Sequence, residues 1–146
     1  MRVSDVLTSK GSRAVFTIPP GATVAELLDA FALHDVGALV VSEDGSALAG
    51  IVSERDVVRK LRHVETPGQE TVASIMTAGA DVLTCSSVDT FASLMSVMTE
   101  NRVRHVPVVD DGQVTGVLSI GDAVKYRMGE LQFERDQLSE YVAGAQ

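Results

Sequence analysis

Apolar residues recur with a helical period twice along the chain. Val24, Leu27, Leu28 and Phe31 stand at i, i+3, i+4 and i+7, and Phe91, Leu94, Met95 and Met98 repeat those offsets. The spacing predicts a helix with one buried face in each place. Thr23, followed three residues later by Glu26, is a capping-box signature for the first of them. A short apolar run then reads as a strand, Ala38 to Val41 or His105 to Val109. Glu43-Asp44-Gly45 and Asp110-Asp111-Gly112 supply turns, and a second strand ends at Val52 or Leu118. Another helix is expected to start after Ser53 or Ser119. With a short strand near Val15 or Val82, each stretch reads β-α-β-β-α. This is an α+β fold of small mixed sheets with helices on one face, and each sheet needs a partner for its other face.

The two stretches are copies. With Val15 laid on Val82, Thr17, Thr23, Ala25 and Leu27 fall on Thr84, Thr90, Ala92 and Leu94. After a one-residue gap, Gly50-Ile-Val-Ser-Glu-Arg-Asp56 falls on Gly116-Val-Leu-Ser-Ile-Gly-Asp122. The lead-ins also correspond, Val3-Ser-Asp-Val-Leu-Thr8 with Val72-Ala-Ser-Ile-Met-Thr77. Two copies are too few for a solenoid, so a pseudo-twofold pair forming one module is expected. The first copy is assigned to residues 1–66 and the second to 67–128, with 62–71 and its Pro67-Gly68 as linker. Past Met128-Gly129 the pattern changes. Leu131, Leu138, Tyr141 and Val142 line a narrow face of a helical tail over 129–146, which would dock on the module or on a second subunit.

At 146 residues, 45% hydrophobic and 22% charged, the chain has the make-up of an ordinary globular protein. Its longest apolar run, around Leu39, is far short of the roughly 20 residues that span a bilayer, so no membrane segment is expected. The start Met-Arg-Val-Ser-Asp lacks a signal-peptide core, and the single cysteine, Cys85, has no internal partner. A cytoplasmic location follows as an expectation. A net charge of −8 argues against nucleic acid as the partner. Arg55, Arg59, Lys60 and Arg62, with Arg102 and Arg104, nevertheless form local basic clusters suited to a small anion.

Gly-hydrophobic-hydrophobic-Ser-x-x-Asp stands at a strand-to-helix junction in both copies. It has a structural explanation: Ser at the N-cap and Asp at N3 stabilise a helix start, and the glycine permits close packing. The same groups suit a nucleotide. Helix amides and the Ser hydroxyl can donate to phosphate, and an ionised Asp can accept from two ribose hydroxyls.

The segments GIVSERDVVRK (50–60), RHVPVVDDG (104–112) and GVLSIGDAVK (116–125) resemble a tandem pair of CBS domains, a Bateman module, and the likeness extends over residues 1 to about 128. The tail resembles that of small stand-alone bacterial members without an enzyme domain. The resemblance implies a regulatory or sensing module that binds AMP, ADP, ATP, NAD(H) or S-adenosylmethionine in up to two clefts, has no catalytic cofactor and forms dimers. It assigns Asp56 and Asp122 to ribose, and Ser53 and Ser119 to phosphate. One copy's motif is expected to close over the other's early strands. Thr17, Ile18, Val36, Gly37 and Ala38 would then line the Asp122 cleft. Thr84, Cys85, Val103, Arg104 and His105 would line the Asp56 cleft, with Arg104, His105 and Arg55 near phosphate. The Asp122 cleft, meeting Gly37 and Ala38, is expected to be roomier and to lack added charge. The alternative is a ligand-free protein–protein interaction module. An enzyme is disfavoured, because His34, His63 and His105 have no metal-ligand spacing and neither a P-loop nor G-x-S-x-G occurs. Nothing near Cys85 in sequence would activate its thiol.

Overall fold

Both apolar stripes become helices in the computed structural model, which describes residues 1–11 and 14–145; residues 12, 13 and 146, within the first copy and the tail, lie outside it. In chain order the elements are α1 (Val3–Ser9), β1 (Thr17–Ile18), α2 (Val24–His34), β2 (Ala38–Val41), β3 (Gly50–Ser53) and α3 (Glu54–Leu61). They continue as α4 (Val72–Ile75), β4 (Thr77–Ala78), α5 (Phe91–Glu100), β5 (His105–Asp110), β6 (Gln113–Ser119) and α6 (Ile120–Gly144). Val24, Leu27 and Phe31 of α2 are buried, as are Phe91, Leu94 and Met98 of α5. Leu28, expected on the same face, is instead 48% exposed and lines an open hollow with Val57 and Val58 of α3. Thr23 and Thr90 cap their helices by accepting the Glu26 and Ser93 amides.

β1 runs parallel to β2, and β2–β3 and β3–β4 are antiparallel, so the first sheet is mixed. The second sheet is the antiparallel pair β5–β6, closed by Asp111 and Gly112. Both of those residues have positive φ, as a two-residue type I′ hairpin requires. The first strand of each copy starts later than Val15 or Val82, near which the sequence places it. β1 stops at Ile18 because Pro19 and Pro20 offer no N–H to a ladder. In the second copy a single parallel bridge, Cys85 to Val108, takes its place. There the Asp110 carboxylate accepts the Ser87 N–H and the Ser86 hydroxyl, in place of strand pairing.

Two cores form, and each borrows from the other copy. Val72 and Ile75 of α4 pack with Leu27, Leu39 and Val52 of the first copy. Val3, Val6 and Leu7 of α1 pack with Leu94, Val106 and Leu118 of the second. The backbone repeats the exchange bond for bond. The Val72 and Ala73 amides donate to the Ala22 and Pro20 carbonyls, while those of Val3 and Ser4 donate to Asp89 and Ser87. The sequence copies therefore are not the packing units, because each lead-in completes the opposite core. The linker expected over 62–71 is tied in as well, with the Val24 N–H donating to the Glu70 carbonyl and Thr23 bridging Thr71.

No break occurs at Met128–Gly129. α6 continues through both, so the tail is the distal half of the motif helix. One interior glycine costs a helix only about 1 kcal/mol relative to alanine, and the flanking residues are mostly good helix formers. Beyond Glu130 every described residue is exposed, although Phe133 lines a groove shared with Val6 and Ser9 of α1. None of the helices is long and apolar enough to cross a membrane, among the described residues.

Candidate ligand clefts

The Ser and Asp of each motif form a closed capping box. Asp56 Oδ2 accepts the Ser53 N–H at 2.9 Å and the Ser53 hydroxyl at 3.1 Å, and the Asp56 N–H returns to Ser53 Oγ. Asp122 Oδ2 accepts the Ser119 N–H at 2.9 Å, and the Asp122 N–H donates to Ser119 Oγ at 3.0 Å. The first helix amides are also used: Glu54 N–H donates to the Gly37 carbonyl and Ile120 N–H to that of Arg104. The local, structural explanation of the motif is thus realised in both copies. It commits one carboxylate oxygen of each aspartate to the cap. Each aspartate also meets a lysine, Asp56 Oδ1 with Lys60 at 3.4 Å and Asp122 Oδ2 with Lys10 at 3.1 Å.

Two clefts lie against these helix starts. One, of about 370 Å³, brings Ser119 and Asp122 together with Val36, Gly37 and Ala38 of the other copy. Thr17 and Ile18 stay out of it: Thr17 pairs with Val40 and Ile18 is buried in the first core. Ala14 and Phe16, just before the strand, line the cleft in their stead, and the Phe16 ring stacks on His34 at 3.9 Å. The other cleft, of about 250 Å³, joins Ser53, Arg55 and Asp56 to Val103, Arg104 and His105. Thr84 is exposed and Cys85 packs against the second core, so neither reaches this cleft. Thr77 takes that part of the wall because β4 pairs beside Ile51. Gly37, Ala38 and His105 line both clefts, so the two share a wall.

Charge differs from expectation. Arg59 and Arg102 join Arg55 and Arg104 around the Asp56 cleft, and among the described residues none of the four is in an ion pair. The Asp122 cleft is not free of positive charge, since Lys10 projects into it. Both arginines belong to clusters visible in the sequence. Lys10 had no such signal, because only the exchange of lead-ins carries it to a partner more than a hundred residues away. Burial opposes ionisation of Asp122, yet the Ser119 N–H, Lys10 and the Ser119 hydroxyl together hold its carboxyl below the ordinary value. Burial also lowers His105; Lys10 and Arg104 lower it further, and Asp122 and Glu54 oppose this. Cys85 is pushed up to about 12 by burial and by Asp89 and Asp110, so it is a thiol and not a nucleophilic thiolate.

A family model of the CBS domain matches residues 3–63 and again 72–129. A mitochondrial CBS domain-containing protein of Arabidopsis thaliana is 36% identical over 148 residues, covering 97% of this chain and 72% of that protein. Among solved structures, a CBS-domain containing protein from Agrobacterium tumefaciens has a TM-score of 0.78 and 38% identity, over 86% of this chain and 92% of that one. A CBS domain protein from Pyrobaculum aerophilum complexed with AMP has a TM-score of 0.72 and 28% identity, over 84% and 89% of the two chains.

Proposed function

This chain belongs to the CBS-domain family, with two copies in tandem, and from that premise we propose that it is a non-catalytic sensor of an adenosine-containing nucleotide. The candidates are AMP, ADP, ATP and NAD(H). The observation that carries this reading is the make-up of each cleft, where one copy's Ser–Asp pair meets the other copy's strand entrance. In the larger cleft Phe16, Val36, Ala38 and Val117 offer an apolar wall for a base. Asp122 offers an ionised acceptor to ribose, and Lys10 and Ser119 offer donors to phosphate. The likeness to the AMP-complexed Pyrobaculum protein supports the same chemistry.

Adenosine nucleotides are expected to raise the melting temperature and guanosine nucleotides to leave it unchanged. At 100 times its Kd a ligand adds about 2.7 kcal/mol, which for a domain of this size is a rise of roughly 5–10 °C. Asp122→Ala removes a charged acceptor and is expected to weaken AMP binding by about 1.5–3 kcal/mol. Calorimetric titration checks it. If Asp122→Ala lowers stability without ligand yet binds AMP as tightly, the aspartate only caps its helix; if the unmodified chain binds no adenosine nucleotide, the ligand-free interaction module is the better reading.

Assembly as a homodimer belongs to the same proposal. Leu28 and Val58 expose apolar surface on α2 and α3, at 48% and 70%, next to a hollow lined by Phe31 and Val57. Isolated exposed residues need no explanation, but a contiguous patch marks a contact surface. Val58→Glu is expected to give a monomer by light scattering at micromolar concentration. Deleting residues 131–146 tests whether the exposed half of α6 contributes. An effector protein that reads the liganded dimer completes the proposed role.

A further inference from the structure

Lys10 follows the last residue of α1, and its N–H closes that helix onto the Val6 carbonyl. Its ammonium crosses to the second copy, 2.9 Å from the Val117 carbonyl and 3.1 Å from Asp122 Oδ2. Both contacts have a structural cause. In the first sheet Ile51, the counterpart of Val117, is paired with Thr77 of β4. In the second sheet β6 is an edge strand, and a lysine donor rather than a strand meets its carbonyl. An ammonium has three donors and no acceptor, so two are used here and one remains. The ion pair is accessible, with side-chain exposures of 35% and 22%, and pairs of this kind are weak enough to be given up. Lys10 and Asp122 also line the neighbouring groove between α1 and α6, beside Ser9 and Phe133, so the lysine has room to turn.

We propose that Lys10 is the specificity-determining residue of the Asp122 cleft, occupying Asp122 when the cleft is empty and reading the phosphate when a nucleotide enters. The proposal rests on the nucleotide reading above and deepens it. A neutral nucleoside that offers its ribose to the Asp122 carboxylate competes with the ammonium for that charge, Lys10 being on Oδ2 with the cap, and gives the ammonium no new partner. A nucleotide offers the ammonium an anion as the ribose takes the carboxylate. The cleft therefore selects for phosphate, contrary to what Gly37 and Ala38 alone suggest. In the other cleft the approach differs, since Lys60 reaches Asp56 from within its own helix while donating to the Ile75 carbonyl.

The test is calorimetric titration of AMP and adenosine in the full chain carrying Asp56→Ala, which leaves the Asp122 cleft as the binding site. Lys10→Met, which keeps the aliphatic stem, and Lys10→Arg are compared in that background. The preference for AMP over adenosine is expected to fall about tenfold or more in Lys10→Met, the worth of one charge-assisted bond, while adenosine binds as well or better. Lys10→Arg is expected to retain the preference. An unchanged ratio in Lys10→Met, or equal weakening of both ligands, overturns the role of Lys10 and leaves nucleotide binding standing. Binding by the unmodified chain but not by Asp56→Ala also overturns it, since the ligand then sits only in the other cleft. Failure of the unmodified chain to bind any adenosine nucleotide overturns the underlying reading and this proposal together.

Discussion

Ile75→Ala is expected to destabilise the protein by about 2–5 kcal/mol, although by sequence the residue sits in a short lead-in after a Pro-Gly linker. Ile75 is 2% exposed and lies in the core formed by Leu27, Phe31, Leu39 and Val52. Truncating a buried isoleucine loses the transfer energy of the removed carbons and leaves a cavity. The surroundings have little freedom to collapse into it, because α4 is fixed by the Val72 and Ala73 hydrogen bonds and by Lys60 Nζ on the Ile75 carbonyl at 2.7 Å. Urea unfolding measures the change. Leu33→Ala, at a position 78% exposed, serves as the comparison and is expected to stay within about 0.5 kcal/mol. A change at Ile75 as small as that at Leu33 would mean that α4 does not belong to the first core, and that the lead-ins are not exchanged.

Gly50→Ala is expected to cost about 1–3 kcal/mol or more, and Gly116→Ala clearly less, although both glycines open the same motif. A Cβ on Gly50 would run into the Thr77 carbonyl oxygen and stand 2.9 Å from Met76 Sδ. The first obstacle is the backbone of β4, which cannot move without breaking its pairing with β3. Overpacking of that kind forces backbone shifts. A Cβ on Gly116 would meet Leu7 Cδ2 at 2.6 Å, the end of a side chain that can rotate away. Gly129, in the interior of α6 with open space around it, is the control of opposite sign. There alanine is expected to stabilise by up to about 1 kcal/mol. Equal costs at Gly50 and Gly116 would contradict the assignment of their different neighbours. Because Thr77 also lines the Asp56 cleft, Gly50→Ala is expected to weaken ligand binding there as well.

The elements that could be read from the chain are those held by short-range physics. The stripes at Val24 and Phe91 became α2 and α5, Thr23 and Thr90 capped them, and Ser53 and Ser119 began α3 and α6. Each of these depends on side chains and amides within about four residues, so the period and the cap residue suffice. The cleft residues nearest the motif and the strand entrances, Asp56, Asp122, Gly37, Ala38 and Arg104, came from the duplication and the family likeness together. Thr17, Ile18, Thr84 and Cys85 do not line these clefts: Thr17 pairs in β1, Ile18 is buried in the first core, Thr84 is exposed and Cys85 is held by its bridge to Val108.

By itself, then, the sequence determined the α-β-β-α run of each copy, its caps and turns, and the paired Ser–Asp motif. Only the tertiary structure decided which lead-in completes which core. Val3, Val6 and Leu7 resemble Val72, Ile75 and Met76 closely enough that either set satisfies either core by size and polarity. Duplication makes the two pairings nearly equivalent locally, and the choice falls to the connection between the copies and the packing of the whole chain. The same choice puts Lys10 on Asp122 and Thr77 against Gly50. An ion pair or a backbone contact across such distances leaves no period in the sequence, because it is selected by three-dimensional proximity alone.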